Sequence, residues 1–209
     1  MYSGITRGVF PVTSVERREG VLKLSVELPA HLLRDVELGA SIAIDGVCLT
    51  VVEFTASQVS FEAIQETQDL TTLGTLVPGR LVSVERSCRI GDELGGHDVF
   101  GHIRGRGEVV RTATLGGQLD LTIQVPPSWM KYILEKGFIA LDGSSLTVGK
   151  VDAAGRFDVH LIPETQRLTN FPSKRVGDSV NVELDPRTVA IVDTVERVIA
   201  ERYAAAIPG

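Results

Sequence analysis

From Leu22 the chain alternates. The stretch LKLSVELP (residues 22–29) puts an apolar residue at every second position, the period of a strand with one buried face. The same period runs through SIAIDGVCLTVVEF (residues 41–54) and LVSVERS (residues 81–87), with Gly, Pro and Asp between the runs. Asp45-Gly46 interrupts the second run, a strong signal for a tight hairpin turn. Several short strands at this spacing predict a small closed barrel or sandwich, and closure removes exposed edges. Short helical pieces are expected at Ala30–Val36 and Pro127–Gly137. The pattern changes at the end of the chain. Asp185 and Pro186 suit an N-cap and a first helical position. Thr188, Ile191, Val192, Val195, Val198, Ile199 and Arg202 then follow a three-and-four spacing. That predicts an amphipathic helix of four turns or more, ending before Pro208. Its narrow β-branched stripe either docks on the chain's own barrel or forms a seam between chains.

The strand pattern is written twice. IAIDGVCLTV (residues 42–51) and IALDGSSLTV (residues 139–148) share seven of ten positions at an offset of 97. At that offset LKLSVELP also matches LDLTIQVP, and GITRG (residues 4–8) matches GHIRG (residues 101–105). One inserted residue later the offset is 98, and ETQDLT (residues 66–71) matches ETQRLT (residues 164–169). The order is collinear, so a unit of roughly ninety residues has been duplicated, and two copies are too few for a stacked solenoid. Each half is long enough to hold its own core. The expected division is residues 1–96, residues 97–184 and a C-terminal helix over 185–209.

The bulk numbers narrow the possible partners. The 209 residues carry a net charge of −6, which argues against non-specific binding to nucleic acid or an anionic membrane. No apolar run reaches the length of a membrane span. The opening MYSGITRGVF lacks a charged-then-apolar leader pattern. Two cysteines, Cys48 and Cys88, do not make a disulfide framework. A reducing, cytoplasmic setting is the expectation.

Candidate chemistry gathers at the junction and in the repeat. GGHDVFGHI (residues 95–103) joins the halves and holds His97 and His102. Their spacing and the lack of a Cys or acidic cluster argue against a metal, and the glycines match no phosphate-binding fingerprint. In DGSSLTV, alternation puts Ser145 and Thr147 on one strand face; Cys48 and Thr50 occupy the matching positions of the first half. Thr67 and Thr165 likewise repeat after a strand. Two similar polar floors imply two similar ligands.

At this point the chain resembles the riboflavin synthases. MYSGI, IAIDGVCLTV, GGHDVFGHI, MKYILEKGFIALDGSSLTV, VHLIPETQRLT, VNVELDP and IVDTVERV carry the likeness, which covers almost the whole chain. The resemblance implies a mainly β fold of two tandem, similar six-stranded Greek-key barrels with a C-terminal α-helix, and a homotrimer held by that helix. It implies dismutation of two 6,7-dimethyl-8-ribityllumazine molecules into riboflavin and 5-amino-6-ribitylaminouracil, with no metal or cofactor. It also implies a site formed between the first barrel of one chain and the second barrel of a neighbour.

Carried over by position, the first-barrel contacts are Gly4, Ile5 and Thr6, then Cys48, Leu49 and Thr50. Glu62, Ala63, Ile64, Gln65, Glu66 and Thr67 complete them. The second-barrel contacts are Gly101, His102 and Ile103, then Lys136, then Ser145, Leu146 and Thr147. Leu161, Ile162, Pro163, Glu164, Thr165 and Gln166 complete that set. His102 and Ser145, with Asp142, are expected to move protons and polarise the attacked ring. Cys48 and Tyr2 are expected on the opposing face. His97 is expected to act through positioning, and the second half to hold a complete pocket alone. The chain departs from the family at Tyr2, at Asp98, Val99 and Phe100, and at Gln68, Asp69 and Thr72. Some relatives bind lumazine or flavin without catalysis, as optical antennae. That is the alternative reading, set against the joint retention of His97, His102, Cys48 and DGSSLTV.

Overall fold

The structure, a computed structural model, describes residues 1–206. Six strands make the first barrel: β1 (Val9–Arg18), β2 (Val21–Glu27), β3 (Ser41–Ile44), β4 (Val47–Phe54), β5 (Gln58–Ile64) and β6 (Leu81–Arg86). They close in the order β1-β2-β5-β4-β3-β6. The second barrel is β7 (Gly105–Leu115), β8 (Gln118–Gln124), β9 (Phe138–Leu141), β10 (Ser144–Val151), β11 (Arg156–Leu161) and β12 (Ser179–Leu184). Its closed order, β7-β8-β11-β10-β9-β12, is the same path taken again. Alternate residues fill each interior. Leu22, Leu24, Val59, Phe61 and Val84 pack inside the first barrel; Leu121, Ile123, Phe157, Val159 and Val182 pack inside the second. Each such side chain contributes about 1.5–3 kcal/mol of burial.

The helical segments are shorter than expected. Ala30–Leu33 (α1) forms one turn, and Pro127–Tyr132 is a 3-10 turn, not a helix to Gly137. Small helices also follow the fifth strand of each barrel, Gln65–Leu70 (α2) and Pro163–Leu168 (α3). The last element, α4, spans Pro186–Ala206. Asp185 caps it, its carboxylate accepting from Arg187 N, Thr188 N and Thr188 Oγ1. Val189 and Val192 pack on the second core beside Trp129 and Met130, and Tyr132 Oη donates to Asp193 at 2.5 Å. Ile191, Val195, Val198 and Ile199 remain exposed. One side of the helix therefore docks on its own barrel while the apolar stripe stays free. No helix among the described residues is long and apolar enough to cross a membrane.

The two Asp-Gly turns hold the barrels together. Asp45 and Gly46 have φ of +43° and +78°, Asp142 and Gly143 of +41° and +83°, the conformation of a two-residue hairpin. The turns touch back to back. A Cβ on Gly46 would lie 2.4 Å from Gly143 N, so only glycine allows the approach. Around them lies a buried polar seam. Ser83 N donates to Asp45 Oδ1 at 2.7 Å, and Asn181 N to Asp142 Oδ1 at 2.7 Å. Asn170 Nδ2 bridges both carboxylates at 2.9 and 3.1 Å. Lys174 Nζ pairs with Asp142 Oδ2 at 2.8 Å.

Candidate active site

Two short segments build the pockets, and they cross over. Tyr2 and Val99 pair antiparallel, Tyr2 N to Val99 O at 2.7 Å and Val99 N to Tyr2 O at 3.1 Å. From this bridge, near the pseudo-twofold centre, each segment runs onto the other half's barrel. Ser145 N donates to Gly4 O at 2.8 Å, and Cys48 N donates to Gly101 O at 3.1 Å. A Cβ on Gly4 or Gly101 would stand 2.5 Å from the Cβ of Ser145 or Cys48. Both glycines take φ near +75° (+74° and +77°), which a side chain would strain. This corrects the assignment made from sequence: Gly4–Thr6 belongs to the second pocket and Gly101–Ile103 to the first. A segment of the first half thus lies against the strand that carries Ser145.

Buried glutamates anchor the crossing segments. Glu85 accepts from Ser3 N and Ser3 Oγ, both at 2.8 Å; Glu183 accepts from Phe100 N at 2.7 Å and Gly101 N at 2.8 Å. Burial pushes both carboxyls up, and the N–H donors oppose that rise. The sequence held a signal for them. VSVE and VNVE repeat a glutamate directly after a core valine, on the opposite and also buried strand face, where an isolated charge would be costly.

The first pocket is a cavity of about 220 Å³ lined by Cys48, Glu66, Thr67, Leu70, Gly101, His102 and Ile103, among others. Thr50, Glu62, Ile64 and Gln65 extend its exposed strip. Leu49 and Ala63 point into the barrel core, so their side chains are withheld from a ligand. Tyr2 is fully buried and donates from Oη to Cys48 Sγ at 3.1 Å. It lies behind Cys48, not on an opposing face. Burial, and then the thiol, push its hydroxyl well above the usual tyrosine range. The His102 ring is exposed, and among the described residues it has no hydrogen-bond partner; Phe100 lies beside it, ring centres 6.3 Å apart.

In the second pocket the junction lies over Ser145. A Cβ on Gly96 would come within 2.7 Å of Ser145 Cβ, and His97 Nδ1 lies 2.6 Å from Ser145 Oγ. The His97 ring stacks on Phe138, centres 5.1 Å apart and 15° from parallel. Burial pushes its pKa down, with Asp185 and Asp98 opposing, so the ring is neutral near neutral pH. With the proton on Nε2, Nδ1 accepts from the Ser145 hydroxyl, the arrangement of a base-assisted hydroxyl. The exposed strip continues through Thr147, Ile162, Pro163 and Glu164, with Ile5, Thr165 and Gln166 at its edge. Leu146 and Leu161 face the core, and Thr6 is buried. Lys136 is exposed at the turn before β9, its N–H bonded to Val148 O at 2.9 Å. Glu164 is paired with Arg167 at 2.6 Å.

Asp142 needs correction as a proton-transfer residue. It is fully buried in the seam, its oxygens held by Asn181, Asn170 and Lys174. The alternation that exposes Ser145 leaves the turn before it buried. Asp185 and Phe138, absent from the sequence assignment, flank His97.

The chain matches the family described as "Lumazine binding domain" twice, over residues 3–87 and 100–185. It is 46% identical over 203 residues to riboflavin synthase of Escherichia coli (strain K12), covering 97% of this chain and 95% of that one. It is 39% identical over 202 residues to riboflavin synthase of Chlamydia trachomatis, covering 97% and 98%. Among solved structures it resembles LumP complexed with riboflavin, with a TM-score of 0.82, 24% identity and coverage of 88% of this chain and 100% of that one. LumP complexed with 6,7-dimethyl-8-(1'-D-ribityl) lumazine gives a TM-score of 0.80 at 23% identity. That likeness concerns the fold, whereas the sequence relatives match over nearly the whole of both chains. The chain belongs to the riboflavin synthase family of duplicated lumazine-binding domains, enzymes of riboflavin biosynthesis.

Proposed function

We propose that two 6,7-dimethyl-8-ribityllumazine molecules are bound by the two pockets and dismutated into riboflavin and 5-amino-6-ribitylaminouracil. One observation carries the reading: the fold makes one pocket twice and arms the copies differently, with Ser145 and His97 in one and Cys48 over Tyr2 in the other. A four-carbon unit passes between two copies of one substrate, so paired pockets of one shape suit the reaction. Holding both reactants together removes several kcal/mol of barrier. A methyl of one molecule is deprotonated and its carbon bonds to the other. The neutral His97 ring, reached through the Ser145 hydroxyl, is placed to take and return that proton. Thr50 and Thr147, on matching exposed strand positions, are placed to bond the ribityl hydroxyls. No residue of this scheme calls for a metal or cofactor.

Both strips face solvent in the single chain, so stacking two bound rings calls for a second copy of the protein. The exposed stripe of α4 supports assembly. We place the working site between the first pocket of one chain and the second pocket of its neighbour in a homotrimer. The free cysteines fit a cytoplasmic setting.

Incubation with the lumazine substrate should yield one riboflavin per two substrate molecules, followed by fluorescence. Tight binding without riboflavin would instead make the protein a lumazine carrier. Removal of residues from Pro186 onward should reduce the sedimenting mass to one third. An unchanged mass would leave α4 with its docking role alone.

A further inference from the structure

The outer face of β10 carries Ser145, Thr147 and Gly149 at alternate positions, and a register shift follows Val148. Ser145 marks the end nearest His97; Gly149 marks the far end. Four residues of strand cover roughly 13 Å, length enough for a fused bicyclic ring and an extended five-carbon chain. His160 of β11, level with Thr147 by the Val148–Val159 pairing, points its side chain toward that far end. A Cβ on Gly149 would lie 2.9 Å from His160 Nε2, so the imidazole reaches over the space that the glycine leaves. Its other nitrogen, Nδ1, is 2.7 Å from Asp120 Oδ1. Gln118 Nε2 donates to the same oxygen at 2.6 Å. The ring is thus held from behind, with Nε2 toward the strip.

The first barrel ends its strip differently. The counterparts of His160, Asp120 and Gly149 are Glu62, Lys23 and Val52. Lys23 is taken by Glu53 at 2.8 Å, and Val52 is 40% exposed on the line that Gly149 leaves open. An oriented imidazole over a glycine is therefore particular to the second pocket. A neutral or protonated Nε2 can accept from or donate to a hydroxyl, so a polyol end suits it in either state.

We propose that His160, positioned by Asp120, binds the far hydroxyls of the ribityl chain in the second pocket and sets that pocket's preference for a polyol tail. The proposal rests on the riboflavin synthase reading. His160→Leu should raise KM for the ribityllumazine about tenfold, the scale of one hydrogen bond, with kcat within about twofold, the signature of lost uniform binding. Asp120→Leu should behave the same way. Asp120→Asn, which can still accept from Nδ1–H, should restore KM to near the wild-type value. An unchanged KM in His160→Leu overturns the proposal, as does a failure of Asp120→Asn to rescue while Asp120→Leu is impaired. A wild-type protein that makes no riboflavin overturns the functional reading instead, and riboflavin titration of wild type and His160→Leu then still tests the tail contact. Equal affinity in that titration counts against it; about tenfold weaker binding supports it.

Discussion

The two halves share a backbone path and differ where charge or chemistry is placed. Strand order, the Asp-Gly turns, the glutamate anchors and the crossing segments all recur. At the seam, Asn170, Lys174 and Asn181 of the second half stand opposite Thr72, Leu76 and Ser83 of the first. At the pockets, Ser145, Phe138 and Lys136 stand opposite Cys48, Ser41 and Gly39. Duplication reproduces geometry cheaply, because the barrel core and turns dictate it. Two identical pockets would treat two identical substrates alike. The divergent side chains are what can make one molecule a donor and the other an acceptor.

The seam gives the largest way to test that asymmetry. Among the described residues the one ion-pair partner at the two buried aspartates is Lys174 of the second half; Arg80 of the first half adds only the weaker pull on Asp45. Lys174 also donates to Ser179 O at 2.8 Å. Lys174→Met keeps the aliphatic bulk and leaves the Asp142 carboxylate buried without its counter-charge. Breaking a buried pair in this way costs about 3–5 kcal/mol. Urea unfolding at pH 7 should show a loss of that size. A loss below about 1 kcal/mol would mean the seam tolerates the bare carboxylate and the asymmetry is incidental.

Much of this comparison was legible in the sequence. The offset of 97 announced two copies, the two-residue period announced strands, and Asp-Gly announced the hairpins, because each signal is local. That Cys48 shares a strand face with Thr50, and Ser145 with Thr147, was readable from alternation alone. The crossing of Gly4–Thr6 and Gly101–Ile103 was not. A repeat shows which residues are equivalent, not whether a segment packs on its own barrel or the other, and the Tyr2–Val99 bridge that decides it is a long-range pairing. Asp142 misled for a related reason. Its place beside Ser145 in sequence suggested the pocket, but the hairpin turns it into the contact with Gly46 and Asn170. The contact of His97 with Ser145 has no local signal, because only the folded junction makes it.

That junction supplies the second test. His97→Gln retains hydrogen bonding but removes an imidazole able to exchange a proton with Ser145. Turnover should fall about a hundredfold or more, the scale of general acid–base help, with ligand affinity within about tenfold. His102→Gln alters an exposed ring that has no hydrogen-bond partner among the described residues, and it should cost about tenfold or less. This ranking reverses the one expected from sequence. Stopped-flow turnover beside equilibrium titration decides it, and a larger loss in His102→Gln would move the proton chemistry to the first pocket.

The smallest effect sharpens the comparison between the two turns. Among the described residues no cation is ion-paired with Asp45. Burial first, and then Asp142, push its carboxyl up to about 7, against the opposing pull of Lys174. One oxygen, Oδ2, accepts no hydrogen bond among the described residues. The folded state therefore keeps a proton that the unfolded chain releases near its ordinary value of about 4. For a raised pKa, that contribution to stability is full below about pH 4 and is lost as pH rises through about 7. Asn at position 45 mimics the protonated form at every pH, keeps an acceptor for Ser83 N, and suits the positive φ of the turn. Asp45→Asn should match the wild type at pH 5 and exceed it at pH 8 by about 1–3 kcal/mol, the cost of an unsatisfied buried polar group. Urea midpoints at the two pH values measure this. A variant that loses stability between pH 5 and pH 8 as steeply as the wild type would show that Asp45 is already ionised in the fold, with Lys174 serving both turns equally.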